Sequence, residues 1–307
     1  MTNRHLHLDA LAMSLMVGLC ALWGLNQVAA KVANAGVSPV LQAGLRSAGA
    51  VPLLWAWSSW RGIRLFDRDG SLPAGLAAGL MFAAEFALIF WGLEYTPASR
   101  AVVFLYTAPF VVALGMHLLV PSERLNRRQV AGLACAFTGI VAAFGETLSL
   151  PTGRQVLGDA MLLASAVLWG ATTVLVRVSR LATVSANKTL FYQLAVSAVA
   201  LPLASVALGE KGFTDPTTLT WVSLIWQIAG VAFASYLAWF WLITRYPATK
   251  LSAFSFLTPL FGMLFGAWLL GEHITPFLAA AMTLVAAGIW LVNRRRGERP
   301  DQPDRAG

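Results

Sequence analysis

The sequence predicts an all-α integral membrane protein whose ten transmembrane helices form two inverted five-helix repeats. Composition is the first reason: of its 307 residues, 58% are hydrophobic and 12% are charged, whereas a soluble domain is about 25% charged. The second reason is a series of apolar runs of membrane-spanning length. The third is that the two halves of the chain share residues in the same order.

The apolar runs set the helix count. A helix needs about 20 apolar residues to cross the ~30 Å hydrocarbon core. Ten such runs lie at about residues 10–33, 39–60, 72–96, 98–120, 129–147, 157–179, 188–208, 220–245, 248–270 and 276–293. The connections between them are too short to hold a separate soluble domain.

The strongest repeat lies at 90–110 and 240–260. At an offset of 150, the identical pairs are Phe90/Phe240, Trp91/Trp241, Pro97/Pro247, Ala98/Ala248, Phe104/Phe254 and Pro109/Pro259. The tripeptide Leu-Trp-Gly also occurs at 22–24 and again at 168–170. Because the period is half the chain, we interpret residues 1–150 as the first repeat and 151–307 as the second, which ends in a basic cytoplasmic tail.

The first run could be mistaken for a signal peptide, because Arg4 precedes it and Ala-Asn-Ala-Gly follows at 33–36. Its Leu-Trp-Gly and Lys31 have counterparts deep in the chain, at 168–170 and Arg177, where cleavage would make no sense. We therefore expect a retained helix.

Lys and Arg residues predict the orientation. Of the 22, seventeen fall on the side that holds both termini and three on the other. Cytoplasmic loops carry an excess of these residues, so both termini are predicted to be cytoplasmic. An odd number of helices in each repeat makes the second repeat inverted. Inverted repeats place a substrate site at their interface near the bilayer midplane.

Composition also argues against other classes. The net charge of +8 does not indicate nucleic-acid binding, because the basic residues lie between apolar runs. Cys20 and Cys135 both lie inside apolar runs, so we expect neither a disulfide framework nor a metal site, and no cofactor is implied. A membrane-embedded enzyme is disfavoured because no His, Cys or carboxylate cluster recurs at a membrane face.

Two charged residues lie inside predicted helices, Arg46 in the second and Glu85 in the third. A charge there costs ~2.5–3.5 kcal/mol or more, so each should face a cavity or a partner. Counting ~1.5 Å per residue puts them within about one turn of the same depth. Either they form a buried ion pair that fixes packing, or Arg46 binds a substrate carboxylate while Glu85 binds an amino group or carries a proton.

Other polar and aromatic residues are candidate substrate contacts. Asn26, Thr172 and Gln193 interrupt apolar runs, and each either bonds a neighbouring helix or contacts substrate. The candidate cavity walls are Trp23, Tyr106, Trp169, Tyr236 and Trp239. Trp23 and Trp169 fall near mid-membrane, where interfacial anchoring does not explain them.

Pro109 and Pro259 are predicted at the middle of the fourth and ninth helices, where they would free the carbonyls of Leu105 and Ser255. Each is interpreted either as a static kink or as a hinge that lines a cavity. Glu123, which follows the fourth helix, is predicted to cap or anchor a loop, as is its counterpart Glu272.

The repeated motifs resemble those of a known family. They are the paired Leu-Trp-Gly, Thr107-Ala108-Pro109 and Thr258-Pro259, Glu123-Arg124-Leu125 and Gly271-Glu272-His273-Ile274, and the closing Gly139 and Gly288. These motifs occur in the same order over nearly the whole chain. By them, the chain resembles the ten-helix EamA branch of the drug/metabolite transporter (DMT) superfamily. The first repeat departs in having Pro121-Ser122 where the second has Leu270-Gly271.

The resemblance implies an exporter of the bacterial inner membrane whose central cavity is lined by helices one to four and six to nine, with helices five and ten at the periphery. It is similar to the YddG-type exporters of amino acids, aromatic ones among them. We therefore expect a broad-specificity, alternating-access exporter of amino acids or related metabolites. The alternative is a proton-coupled efflux carrier for lipophilic cations. The partners expected are a small-molecule substrate and membrane lipids, with the oligomeric state left open and a monomer compatible.

Overall fold

The computed structural model describes residues 7–145, 153–271 and 276–294. Thirteen α-helices occupy these ranges: α1 Ala10–Ala33, α2 Pro39–Trp60, α3 Leu72–Gly92, α4 Ala98–Leu105, α5 Ala108–Leu119, α6 Arg127–Phe144, α7 Gly153–Val178, α8 Ala186–Ala207, α9 Thr218–Trp226, α10 Tyr236–Arg245, α11 Ala248–Phe254, α12 Leu257–Leu270 and α13 Leu278–Asn293. A π-helix, Gln227–Ser235, joins α9 to α10. Within the described ranges, the β contacts amount to one bridge between Val37 and Phe213. The basic tail and Glu272 lie outside these ranges.

The helices fall on the predicted apolar runs. Seven stretches in the described ranges are long and apolar enough to cross a membrane: Ala10–Ala33, Leu72–Gly92, Arg100–Leu119, Gly153–Val178, Ala186–Ala207, Thr218–Arg245 and Ala248–Leu270. The chain is therefore a multi-pass, all-helical membrane protein, and the count of ten spans stays a prediction. The third run was predicted to reach residue 96, but α3 ends at Gly92, and hydrogen-bonded turns connect it to Pro97.

Helix ends carry local signals that fix their positions. The Asp9 carboxylate accepts the Ala12 N–H at 2.8 Å and caps α1. Asn126 and Gln129 exchange hydrogen bonds in a capping box that begins α6. Gly271 ends α12 with φ of 67°, a left-handed conformation that glycine adopts without strain.

The prolines follow helix breaks rather than kinking continuous helices. α4 and α5 are separated at Tyr106–Thr107, and α11 and α12 at Ser255–Phe256. Pro109 and Pro259 then lie in the first turn of α5 and α12, where a missing N–H costs little. The prediction that the Ser255 carbonyl is free is wrong, because this carbonyl accepts the Thr258 N–H at 2.9 Å.

Small residues allow close helix packing. α6 packs along α13, α2 along α8, and α3 against both α7 and α8. Gly132 of α6 faces Gly288 of α13, while Gly79 of α3 faces Val196 of α8. These glycines therefore allow close contacts between helices of the same chain.

Gly288→Ala tests the α6–α13 contact. An added Cβ would lie 2.6 Å from the backbone nitrogen of Ala136, so the helices must separate. We expect a stability loss of about 1–3 kcal/mol, seen as a lower midpoint of thermal unfolding in detergent. Gly18→Ala is the matched control, because nothing lies within 4 Å of its added Cβ. Equal midpoints for the two variants would contradict this packing.

Candidate functional site

A central cavity of about 330 Å³ lies between the two halves of the chain. Its lining comes from α1, α2, α3, α7, α8, the π-helix and α10, from α4 and the break after it, and from the α11–α12 break and the start of α12. Its lining residues include none from the described parts of α6 or α13. This arrangement matches the distribution of helices that the resemblance implies.

All eight side chains proposed as substrate contacts line this one cavity. They are Trp23, Asn26, Arg46, Glu85, Tyr106, Trp169, Thr172 and Tyr236. The sequence predicted these residues as contacts from their type and approximate depth alone, and the structure shows that they surround the same cavity. Pro109 and Pro259 lie just beyond the lining, next to the breaks. The binding role of the eight residues stays a prediction.

Arg46 and Glu85 are both buried but are not joined to each other. Arg46 is 4% exposed and Glu85 8% exposed, and among the described residues no ion pair within 4.0 Å links them. The guanidinium carbon of Arg46 instead lies 4.2 Å from the Phe86 ring centroid. Nε and Nη2 of Arg46 and Oε2 of Glu85 have no hydrogen-bond partner in the described chain. Neither charged group is therefore neutralised by a direct bond to the other.

Further buried polar atoms on the cavity wall also have no partner in the described chain. They are Asn26 Oδ1, Ser165 Oγ, Gln193 Nε2 and Oε1, Gln227 Nε2 and Thr258 Oγ1. Buried polar groups in proteins are nearly always hydrogen-bonded, so this concentration fits a wet, polar-ligand site. Thr172 differs, because its hydroxyl donates to the Leu168 carbonyl at 2.8 Å inside α7.

Sequence reasoning missed Ser165, Gln227 and Thr258. Gln227 carried the same signal as Gln193, a polar side chain in an apolar run, and could have been found. The π-helix that begins at Gln227 had no signal, although such segments frequently occur at functional sites.

Aromatic rings form the remaining wall. Trp23 meets Trp239 edge-on with centroids 5.8 Å apart, and Tyr106 meets Trp169 at 6.5 Å. The Trp23 indole donates to the hydroxyl of Ser235 at 2.9 Å. Edge-on contacts hold such rings in fixed positions beside the polar groups.

One end of the cavity is closed by a buried ion pair. Arg177, near the end of α7, donates from Nε to Glu123 Oε1 at 2.8 Å, and both side chains are about 5% exposed or less. Arg177 Nη1 also donates to the Ile243 carbonyl at 2.9 Å. Glu123 Oε2 accepts the Ala248 N–H at the start of α11 at 2.8 Å. The predicted loop anchor at Glu123 thus binds three helix ends together.

A second link strengthens this closed end. The Tyr246 hydroxyl donates to Asp9 Oδ2 at 2.8 Å and ties the start of α11 to the start of α1. Burial, followed by this hydrogen bond, raises the pKa of Tyr246. Between the link and the cavity, Met16, Cys20 and Leu242 are fully buried.

A different ion pair lies at the other end of α7. Arg100 contacts both carboxylate oxygens of Asp159, with Nε 3.0 Å from each, and Thr96 donates to the same carboxylate at 3.1 Å. Asp159 and Arg177 lie about 27 Å apart along α7 at ~1.5 Å per residue. On this side the cavity opens, and its lining residue Gln27 is exposed.

Comparisons with known proteins agree with this architecture. The model of the EamA-like transporter family matches residues 10–145 and 156–294. An uncharacterized transporter of Archaeoglobus fulgidus is 27% identical over 282 residues, which cover 90% of this chain and 94% of that protein. A probable amino-acid metabolite efflux pump of Salmonella typhimurium is 28% identical over 286 residues, and the match covers 88% of this chain and 90% of that protein.

A solved crystal structure shares the fold. It superposes with a TM-score of 0.79 at 20% identity, and the match covers 92% of this chain and 96% of that one. The relatives' names and the family point to transport rather than to an enzyme. Since the family model spans nearly the whole sequence, the chain belongs to the EamA-like transporter family.

Proposed function

We propose that this transporter is a secondary carrier that exports amino acids or related small metabolites by alternating access. The observation that carries the proposal is the cavity in which Arg46 and Glu85 are buried, close in depth and not joined to each other. A carboxylate binds well to the planar donor fork of an arginine. An ammonium group on the same molecule would complement Glu85. A small zwitterion satisfies both groups together.

Export of amino acids has further support in the relatives. Proteins of Salmonella typhimurium and Escherichia coli named as probable amino-acid metabolite efflux pumps are 28% and 26% identical to this chain. The aromatic wall of the cavity suits large apolar side chains, aromatic ones among them. Broad specificity follows from a wall that contacts such side chains mainly through ring faces and edges.

Ten spans in two inverted repeats account for the packing. α2 packs on α8 and α6 on α13, so helices that correspond in the two repeats meet as a two-fold axis requires. Gly24 of α1 faces Phe261 of α12, and its counterpart Gly170 of α7 faces Val111 of α5. Residues 111 and 261 differ by the same offset of 150 that aligns the repeats. Two equivalent contacts of this kind favour the inverted duplication.

Alternating access fits the asymmetry between the two ends of the cavity. With both termini cytoplasmic in a bacterial inner membrane, the open end faces outward and the Arg177–Glu123 end faces the cytoplasm. The breaks before Pro109 and Pro259 lie at cavity depth and are the proposed hinges. Movement of α5 and α12 about these breaks would open one end as the other closes.

Uptake into proteoliposomes tests the function. Purified protein is reconstituted and offered a panel of radiolabelled amino acids beside a lipophilic cation. We expect saturable flux of amino acids that unlabelled amino acid inhibits by competition. Protein-dependent flux of the cation alone would overturn the proposal.

A second candidate is proton-coupled efflux of lipophilic cations. It is favoured by Glu85, the one acidic residue among the described residues that line the central cavity, which lies beside aromatic rings; cations bind both carboxylates and ring faces. Glu85→Gln separates the candidates. The zwitterion carrier should keep amino-acid flux with weakened affinity, while proton-driven cation efflux should disappear because the glutamine cannot exchange a proton. The measurement is uptake of both substrates under an imposed pH gradient. Cation efflux retained in this variant would exclude the second candidate.

A further inference from the structure

A second cavity lies away from the central one, at the membrane face where α2 and α10 end. It has a volume of about 500 Å³ and is formed by the end of α2, the start of α8, the π-helix and α10. Its lining residues are Trp57, Arg61, Ile63, Ala186, Asn187, Phe233, Ala234, Leu237, Ala238 and Trp241. We call it the lateral groove. None of these residues lines the central cavity.

One arginine, Arg61, lines the lateral groove, and a second, Arg245, lies over the ring of the lining residue Trp241. Arg61 follows Trp57 by four residues, and Arg245 follows Trp241 by four residues. This spacing places each guanidinium over the preceding ring. The guanidinium carbon lies 5.6 Å from the ring centroid for Arg61 and 4.5 Å for Arg245. Both arginines are exposed, so their charges remain open to a ligand.

The groove itself is apolar and its lining includes no acidic residue. Ala234 and Ala238 are small, one turn apart, and leave room between the larger Phe233 and Trp241. The nearby Asp69 is already paired with Lys188 at 2.8 Å, and the hydrogen bond from Lys188 holds the pKa of Asp69 below its usual range. The local charge is therefore positive, above an apolar cleft.

From this combination we infer that the lateral groove binds an anionic phospholipid. The phosphate-bearing headgroup contacts Arg61 and Arg245, and one acyl chain lies over Ala234 and Ala238. Basic pockets between transmembrane helices bind anionic headgroups in this manner. A lipid occupies the groove better than a soluble anion, because the groove is apolar below the arginines and these helices lie in the membrane. This site is independent of the transported solute.

The test is lipid retention by the purified full-length protein. Protein in detergent is mixed with phosphatidylglycerol or with phosphatidylcholine of the same acyl chains, and bound lipid is counted by native mass spectrometry. We expect a preference for phosphatidylglycerol. The double variant Arg61→Gln/Arg245→Gln should lose about 10- to 30-fold in phosphatidylglycerol affinity, since each basic residue near a lipid surface contributes about fivefold.

The matched control is Arg64→Gln/Arg68→Gln, which removes the same charge from exposed residues that neither line the groove nor lie over its tryptophan rings. The control should keep the preference. An equal loss in both double variants would mean general attraction to a basic surface and would overturn the site, as would no loss in either.

Two more measurements distinguish binding of the acyl chain in the groove from binding of the headgroup alone. Ala238→Leu fills the groove without changing charge, and it should reduce retention of phosphatidylglycerol. Glycerol phosphate should not displace the bound lipid. Unchanged retention in Ala238→Leu, or displacement by glycerol phosphate, would overturn the inference that a lipid occupies this groove.

Discussion

Arg46→Ala is expected to raise the amino-acid concentration needed for half-maximal uptake by about 10- to 100-fold while the protein remains folded. The guanidinium is buried in the central cavity, and two of its nitrogens have no partner in the described chain. A hydrogen bond to a charged group contributes about 1.5–3 kcal/mol, so losing the contact should weaken binding by about 10- to 100-fold. The measurement is the concentration dependence of uptake into proteoliposomes.

Two control variants separate recognition from general damage. Arg46→Lys keeps the charge but loses the planar donor fork, so it should show weakened uptake that is still measurable. Arg61→Ala removes an exposed arginine outside the central cavity and should leave the affinity for amino acid unchanged. Full uptake by Arg46→Ala would remove the carboxylate contact from this account.

Glu123→Ala is expected to open the closed end of the cavity. The change leaves Arg177 buried without its carboxylate, and breaking a buried ion pair costs about 3–5 kcal/mol. Conformations in which Arg177 reaches water should then gain population. Cys20 is a native probe, because its side chain is fully buried in the layer beside this end. We expect N-ethylmaleimide to label Cys20 faster in Glu123→Ala, measured in a Cys135→Ser background.

The matched control breaks the ion pair at the other end of α7. Asp159→Ala leaves Arg100 similarly buried and should destabilise the protein by a similar amount. It should not accelerate labelling of Cys20, since the Arg177 end stays intact. Equal acceleration in both variants would indicate general loosening of the fold and not an opening of one end.

Much of the fold could be predicted because the bilayer imposes simple rules. α1 and α2 have the bounds that their apolar runs gave. Charges inside a membrane need a cavity or a partner, and this rule identified Arg46 and Glu85. Residue type at mid-membrane depth identified Trp23 and Trp169 in the same way. All four line the central cavity.

Contacts between helices could not be predicted to the same extent. These helices are apolar on every side, so periodicity does not show which face meets which neighbour. Arg177 was recognised only as a repeat counterpart and a basic residue at a helix end, yet it forms the buried pair with Glu123. The breaks before Pro109 and Pro259 depend on local turns that the prolines alone do not specify.

Binding of three matched ligands to the purified protein tests the central claim most directly. They are an α-amino acid, its amide, in which a neutral carboxamide replaces the carboxylate, and the corresponding amine, which has no carboxyl group. All three keep the ammonium group. Isothermal titration should show saturable binding of the amino acid and binding at least about tenfold weaker for the other two. Binding of the amine as tight as that of the amino acid would contradict recognition of a zwitterion by Arg46 and Glu85.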